Sequence, residues 1–174
     1  MKSFSAVAVF SLMFVAGAQA SEIQSVSDSI SLLDLGKSTQ LSILKPITLK
    51  MTEGQNGQAS IEDDVWFQGG VAIYRMEEID TTQALCQLDT NPKKSTSQEI
   101  VIPAKTTATI TQSQGRLTEN ESGKRFYVNL WLSKSQKLLG HLSCEAPQNE
   151  LREPSVADFR KAVGSYFDLI STQK

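Results

Sequence analysis

The stretch RFYVNLWLSKSQKLLGHLSC, Arg125 to Cys144, decides the fold. Two apolar runs, RFYVNLWL and LLGHLSC, flank the polar connection SKSQK, and each alternates as a strand with one buried face does. Pairing Leu132 with Leu138 sets Phe126 opposite Cys144, Val128 opposite Leu142 and Leu130 opposite Gly140. One face then carries Phe126, Val128, Leu130, Leu132, Leu138, Leu142 and Cys144, all suited to a core. The other face carries Tyr127, Asn129, Trp131, Leu139 and His141, with His141 opposite Asn129.

Cys144 thus falls on the apolar side of its strand. The only other cysteine, Cys86, does the same in ALCQL, where Ala84, Cys86 and Leu88 share a face. Two cysteines that independently point inward predict a buried disulfide between strands or sheets. Bridging them closes a loop of roughly 60 residues, for which chain entropy gives about 4 kcal/mol. That is a large share of a domain's net stability.

Upstream, DVWFQGGVAIYR, Asp64 to Arg75, reads as a hairpin turning at Gly69-Gly70, since glycine at both central positions suits a type I′ turn. Phe67 then opposes Ala72, Trp66 opposes Ile73, Val65 opposes Tyr74, and Asp64 opposes the oppositely charged Arg75. Val65, Phe67, Ala72 and Tyr74 occupy one face; Trp66, Val71 and Ile73 occupy the other. Both faces are apolar, so the hairpin needs cover on two sides. ITLKM, from Ile47 to Met51, and EIVIPAKTTATITQS, broken at Pro103, supply further strands.

After Pro154 the period changes. Ser155 and Asp158 resemble a helix N-cap with an acidic third residue. Val156, Phe159, Val163, Tyr166, Phe167 and Ile170 recur at spacings of three and four, predicting an amphipathic helix over 155–171. Its stripe is expected to cover the Trp66 face of the hairpin. The expected fold is mainly β: an antiparallel β-sandwich or partly closed barrel of about seven or eight short strands, with one C-terminal amphipathic α-helix.

The ends set the compartment. Lys2, the apolar run AVAVFSLMFVAGA and the small-x-small site Ala18-Gln19-Ala20 form a secretory signal peptide of bacterial style over 1–20. Cleavage is expected between Ala20 and Ser21, leaving a periplasmic or secreted chain with no membrane span. Residues 21–40, rich in serine and acid, are expected to form a flexible arm ahead of a single β-rich domain over 41–174. The whole chain carries a net charge of −2, and Lys2 leaves with the signal. A mildly acidic chain without a basic cluster excludes nucleic acid as a partner.

Catalytic and metal chemistries find little footing. His141 is the only histidine, and no G-x-S-x-G elbow accompanies it. Two cysteines and one histidine are too few for a structural zinc site. Glu62-Asp63-Asp64 and Glu77-Glu78-Asp80 lack the calcium-loop pattern of alternating ligands about a glycine. SLLDLGKS, Ser31 to Ser38, has serine where a phosphate-binding loop needs glycine. Asn120-Glu121-Ser122 is a glycosylation acceptor triplet that matters only in a eukaryotic secretory route.

No metal or cofactor is therefore expected. The expected function is an exported, non-enzymatic binding or structural module of the cell envelope or secreted milieu, whose partner is another envelope protein or a glycan. If the helix lies elsewhere, the expected binding patch is Trp66, Tyr127, Trp131, Leu139 and His141, which lie opposite the core faces. The alternatives are a carboxylate-dependent hydrolase of polysaccharide or peptide, and a small-ligand carrier with a barrel cavity.

Overall fold

A computed structural model describes residues 23–53, 59–61, 65–90, 99–120, 123–135 and 138–172. Within these, twelve strands and one α-helix follow in order: β1 (Ile23–Ser25), β2 (Thr39–Ile43), β3 (Ile47–Glu53), β4 (Ala59–Ile61), β5 (Val65–Gln68), β6 (Val71–Ile73), β7 (Leu85–Thr90), β8 (Glu99–Ile102), β9 (Thr106–Asn120), β10 (Gly123–Ser135), β11 (Leu138–Glu145), α1 (Val156–Val163) and β12 (Phe167–Thr172). The signal segment, Asp64, Glu121 and Ser122 lie outside the described residues.

Every strand pairing among the described residues is antiparallel, and nine strands form one sheet in the order β1-β12-β2-β9-β10-β11-β7-β5-β6, beside a three-stranded sheet β4-β3-β8. The long β9 joins the two halves of the large sheet: its start pairs with β2 and the rest with β10. The sheet does not close into a barrel. It folds over instead, because Phe67 of β5 meets Phe167 of β12, six places away in strand order, with ring centroids 5.0 Å apart. The result is a sandwich-like core with a helix in it, the mainly β class expected from the alternation.

Between the two halves lie Phe67, Phe159 and Phe167, with Leu41, Ile43, Leu88, Leu130 and the cystine. Each of these aromatic rings contributes about 1.5–3 kcal/mol through burial. Ile47, Leu49 and Ile102 bring the small sheet onto the same core. Cys86 and Cys144 face each other directly across β7 and β11, joined as a disulfide with Cα atoms 4.1 Å apart and both side chains buried.

Three expectations need correction. Residues 21–40 do not form a flexible arm where they are described. β1 pairs with β12, Leu32 and Leu35 are buried, and a one-turn 3-10 helix at Leu32–Asp34 is capped by the Ser31 hydroxyl. Leu32 N–H donates to the Pro154 carbonyl, and Val156 N–H donates to that of Ile30, so the segment is stitched to the approach of α1. The apolar groups of SISLLDLG are too few to show a period, yet Leu32 and Leu35 sit in the core and Leu33 packs against it.

The helix does not run over 155–171. It stops at Val163 because Gly164 adopts φ +49°, and the chain then turns into β12. Phe167 and Leu169 are buried while Asp168 and Ile170 are half-buried, a period of two rather than of 3.6. The spacing of Phe159, Val163, Tyr166 and Phe167 suited a helix only by ignoring the glycine, a common stop signal. The Ser155–Asp158 capping box is present as expected.

Finally, α1 covers the Phe67 face of the hairpin, not the Trp66 face. Gly70 N–H donates to the Ala162 carbonyl at 3.0 Å, and the rings of Phe67 and Tyr166 lie 5.2 Å apart. The Gly69-Gly70 turn itself forms as expected, with positive φ at both residues and Trp66 opposite Ile73.

Candidate functional site

The face of the large sheet turned away from the core is built row by row from strand register. In antiparallel pairs, directly opposed residues share a face. Arg116, Tyr127, Glu145 and Leu85 form one row across β9, β10, β11 and β7. Gln114, Asn129, Ser143, Gln87, Trp66 and Ile73 form the next, reaching to β6. Gln112, Trp131, His141 and Asp89 form the third. Arg125 and Thr118 stand beyond the first row.

The register differs from the expected one by two residues. Val128 opposes Cys144, Leu130 opposes Leu142, and His141 opposes Trp131 instead of Asn129. The strands run on to Ser135 and Leu138, so the connection is tighter than SKSQK, and a shift lies between Leu132 and Ser135. A slip of two residues leaves every side chain on its face, whereas a slip of one would have inverted the core. The face assignment therefore survives the register error.

Trp66, Tyr127 and His141 line a cleft of about 390 Å³ on this face, together with Leu85, Gln87, Arg116, Thr118, Arg125, Asn129, Ser143 and Glu145. Trp131 stands at its side, 39% exposed, with its ring 4.7 Å from that of His141. His141 Nε2 is 3.7 Å from Asp89. Leu139 belongs to β11, and its side chain lies outside the described residues. Of the expected patch, three residues line one cleft and a fourth adjoins it. Arg116, Arg125, Asn129 and Glu145 were not singled out from the sequence. Their signal was the same alternation that located Tyr127 and Trp131, extended to the polar members of the strand.

The polar groups of the cleft are incompletely paired. Arg125 Nη1 stands 3.5 Å from Glu145 Oε1, beyond a good hydrogen bond, with both side chains largely buried. Arg125 Nε and Asn129 Oδ1 are enclosed and have no hydrogen-bond partner. Each such group costs about 1–3 kcal/mol while unpaired. Burial pushes the Glu145 carboxyl above its ordinary value, and Arg125 opposes that shift. Arg116 is exposed and makes no ion pair among the described residues.

Glu145 is the one carboxylate among the residues lining the cleft. Asp89 is four residues along β7 from Leu85, the neighbour of Glu145, which is about 13 Å at strand rise. Two glycosidase carboxyls stand about 5–9.5 Å apart. Among the described residues, no group of three or more His, Cys, Asp or Glu side chains converges as metal ligands, and no helix is long and apolar enough to cross a membrane. Compared with known proteins, the chain matches no family model, no curated protein and no solved structure.

Proposed function

We propose that the protein is an exported, non-enzymatic binding module of the bacterial envelope or secreted milieu, and that its partner docks in the outer-face cleft between β9 and β5. One observation carries this: aromatic side chains and unpartnered buried polar atoms coincide there, on a face that the helix leaves uncovered. Buried polar groups in folded proteins are normally satisfied, so the donor and acceptor left unpaired on either side of Tyr127 favour a bound state in which these side chains turn to meet a ligand. The disulfide accords with export, since such bonds persist in oxidising compartments.

Both tryptophans of the chain, Trp66 and Trp131, lie on this face, so intrinsic emission reports on the site without a label. Protein titrated with separated saccharide and protein fractions of the envelope should shift its emission with one of them, and Trp66→Phe should remove most of the change. The proposal fails if no fraction alters the emission. It fails equally if the response persists unchanged in Tyr127→Ala and Arg116→Gln. Export is tested separately: protein recovered from the periplasm or medium should begin at Ser21, and retention of Met1 in the cytoplasm would refute it.

A further inference from the structure

We infer that the ligand of this cleft is an acidic oligosaccharide, whose carboxylate is held by Arg116 and Arg125 and whose hydroxyls meet Asn129 and its neighbours. This rests on the cleft being the binding site.

The charge balance points to an anion. Two guanidinium groups, from neighbouring strands, face a single lining carboxylate, Glu145. The Glu145 contact leaves Arg125 Nε without a partner. A carboxylate is the group an arginine binds best, through paired N–H donors. A neutral sugar would leave the exposed Arg116 guanidinium with water alone as its partner.

The remaining lining chooses the kind of anion. Asn129 lines the cleft with an amide, which a sugar hydroxyl can meet as donor or acceptor and a bare carboxylate or phosphate meets only as acceptor. Thr118 and Ser143 add hydroxyl groups to the lining. Trp66 and Tyr127 provide apolar area with polar tips, suited to the C–H faces and hydroxyl rims of pyranose rings. Peptide anchors instead seek apolar pockets, and Leu85 is the only aliphatic residue lining this cleft. Arg125 and Asn129 are four residues apart on one strand, about 13 Å. A ligand that satisfies both must therefore exceed one ring. A volume of about 390 Å³ matches a short oligosaccharide and lies near the lower end for ligand sites, roughly 300–1,000 Å³.

The test uses the mature, disulfide-bonded chain on an array of uronate- and sialate-bearing oligosaccharides. The same glycans after carboxyl reduction, neutral oligosaccharides and an acidic peptide serve as comparators, and hits are titrated by tryptophan emission and calorimetry. We expect at least one acidic glycan to bind at least tenfold more tightly than its carboxyl-reduced form. Raising salt should weaken that binding. Arg125→Gln should reduce it at least tenfold, and Arg116→Gln, at an exposed position that folding does not depend on, should do so too. Equal binding of reduced and acidic glycans overturns the inference and leaves the cleft as a binding site. Binding of the acidic peptide alone overturns it in the same way. If no probe binds or perturbs the tryptophans, the inference falls, and the titration with envelope fractions decides the proposed function.

Discussion

Replacing Asp158 by asparagine tests how the helix is locked to the rest of the fold. Asp158 is 3% exposed. Its carboxylate accepts from two Arg152 nitrogens at 2.5 and 3.0 Å, and from the backbone N–H and hydroxyl of Ser155, each at 2.8 Å. Burial works to raise its pKa, but the hydrogen bonds from Arg152 and Ser155 outweigh it and hold the carboxyl at about 2. Against an ordinary value of 3.8, that is about 2 kcal/mol of stability at about 1.4 kcal/mol per tenfold. The folded value lies below the unfolded one. The stabilisation is therefore complete above about pH 4 and is lost as pH falls through about 2.

Asp158→Asn removes this charge and turns an NH₂ towards donors, leaving one group unpaired for about 1 kcal/mol more. The Arg152 side chain is 44% exposed and returns to water when released, which keeps the loss below the 3–5 kcal/mol of a fully buried pair. We expect a loss of about 2–3 kcal/mol at pH 7. Unfolding in urea, which does not screen charge as guanidinium does, is followed by tryptophan emission at pH 7, 4, 3 and 2. The gap between wild type and variant should narrow to about 1 kcal/mol at pH 2, the part left by the unpaired group. A gap that is constant across this range, or below about 0.5 kcal/mol at pH 7, would refute the reasoning.

Other perturbations have equally definite outcomes. A Cβ on Gly164 would stand 2.4 Å from Gly70 Cα, at a φ of +49°. Gly164→Ala should therefore cost roughly 2–5 kcal/mol from strain and overpacking, read as a lowered thermal midpoint, and an unchanged midpoint would contradict the close helix–hairpin contact. Replacing both cysteines by serine should remove about 4 kcal/mol in urea unfolding. Denatured, unreduced wild type should show no titratable thiol, and two would contradict the disulfide. Glu145→Gln removes the lining carboxylate and should tighten binding of the acidic glycan, while weakened binding would show that Glu145 contacts the ligand.

Legibility followed the strength of the local pattern. Val128, Leu130 and Leu132 alternate so regularly with Tyr127, Asn129 and Trp131 that both faces of β10 could be assigned, and the inward phase of Cys86 and Cys144 implied their union. The positive-φ turn at Gly69-Gly70 was equally plain. The short segments were not. β1 and the turn at Leu32 have three or fewer apolar residues each, and their burial depends on β12 and the approach to α1. The run from Tyr166 to Ile170 suited either period, and Gly164 was the deciding residue.

Local pattern sufficed for the strands of the central hairpins, the face each of their side chains takes, the cystine and the capped start of the helix. All of these depend on neighbours within a few residues or on a phase that a two-residue slip preserves. Which face of the Trp66 hairpin the helix covers, and how the polar residues of the outer face gather, emerge only from long-range packing. Trp66 borders Gln87 across the strand, and that half-polar row needs no lid. Phe67 meets Phe167 only once the sheet has folded over on itself. Arg116, Arg125 and Glu145 come from three strands, so no sequence spacing could have announced their meeting beside Tyr127.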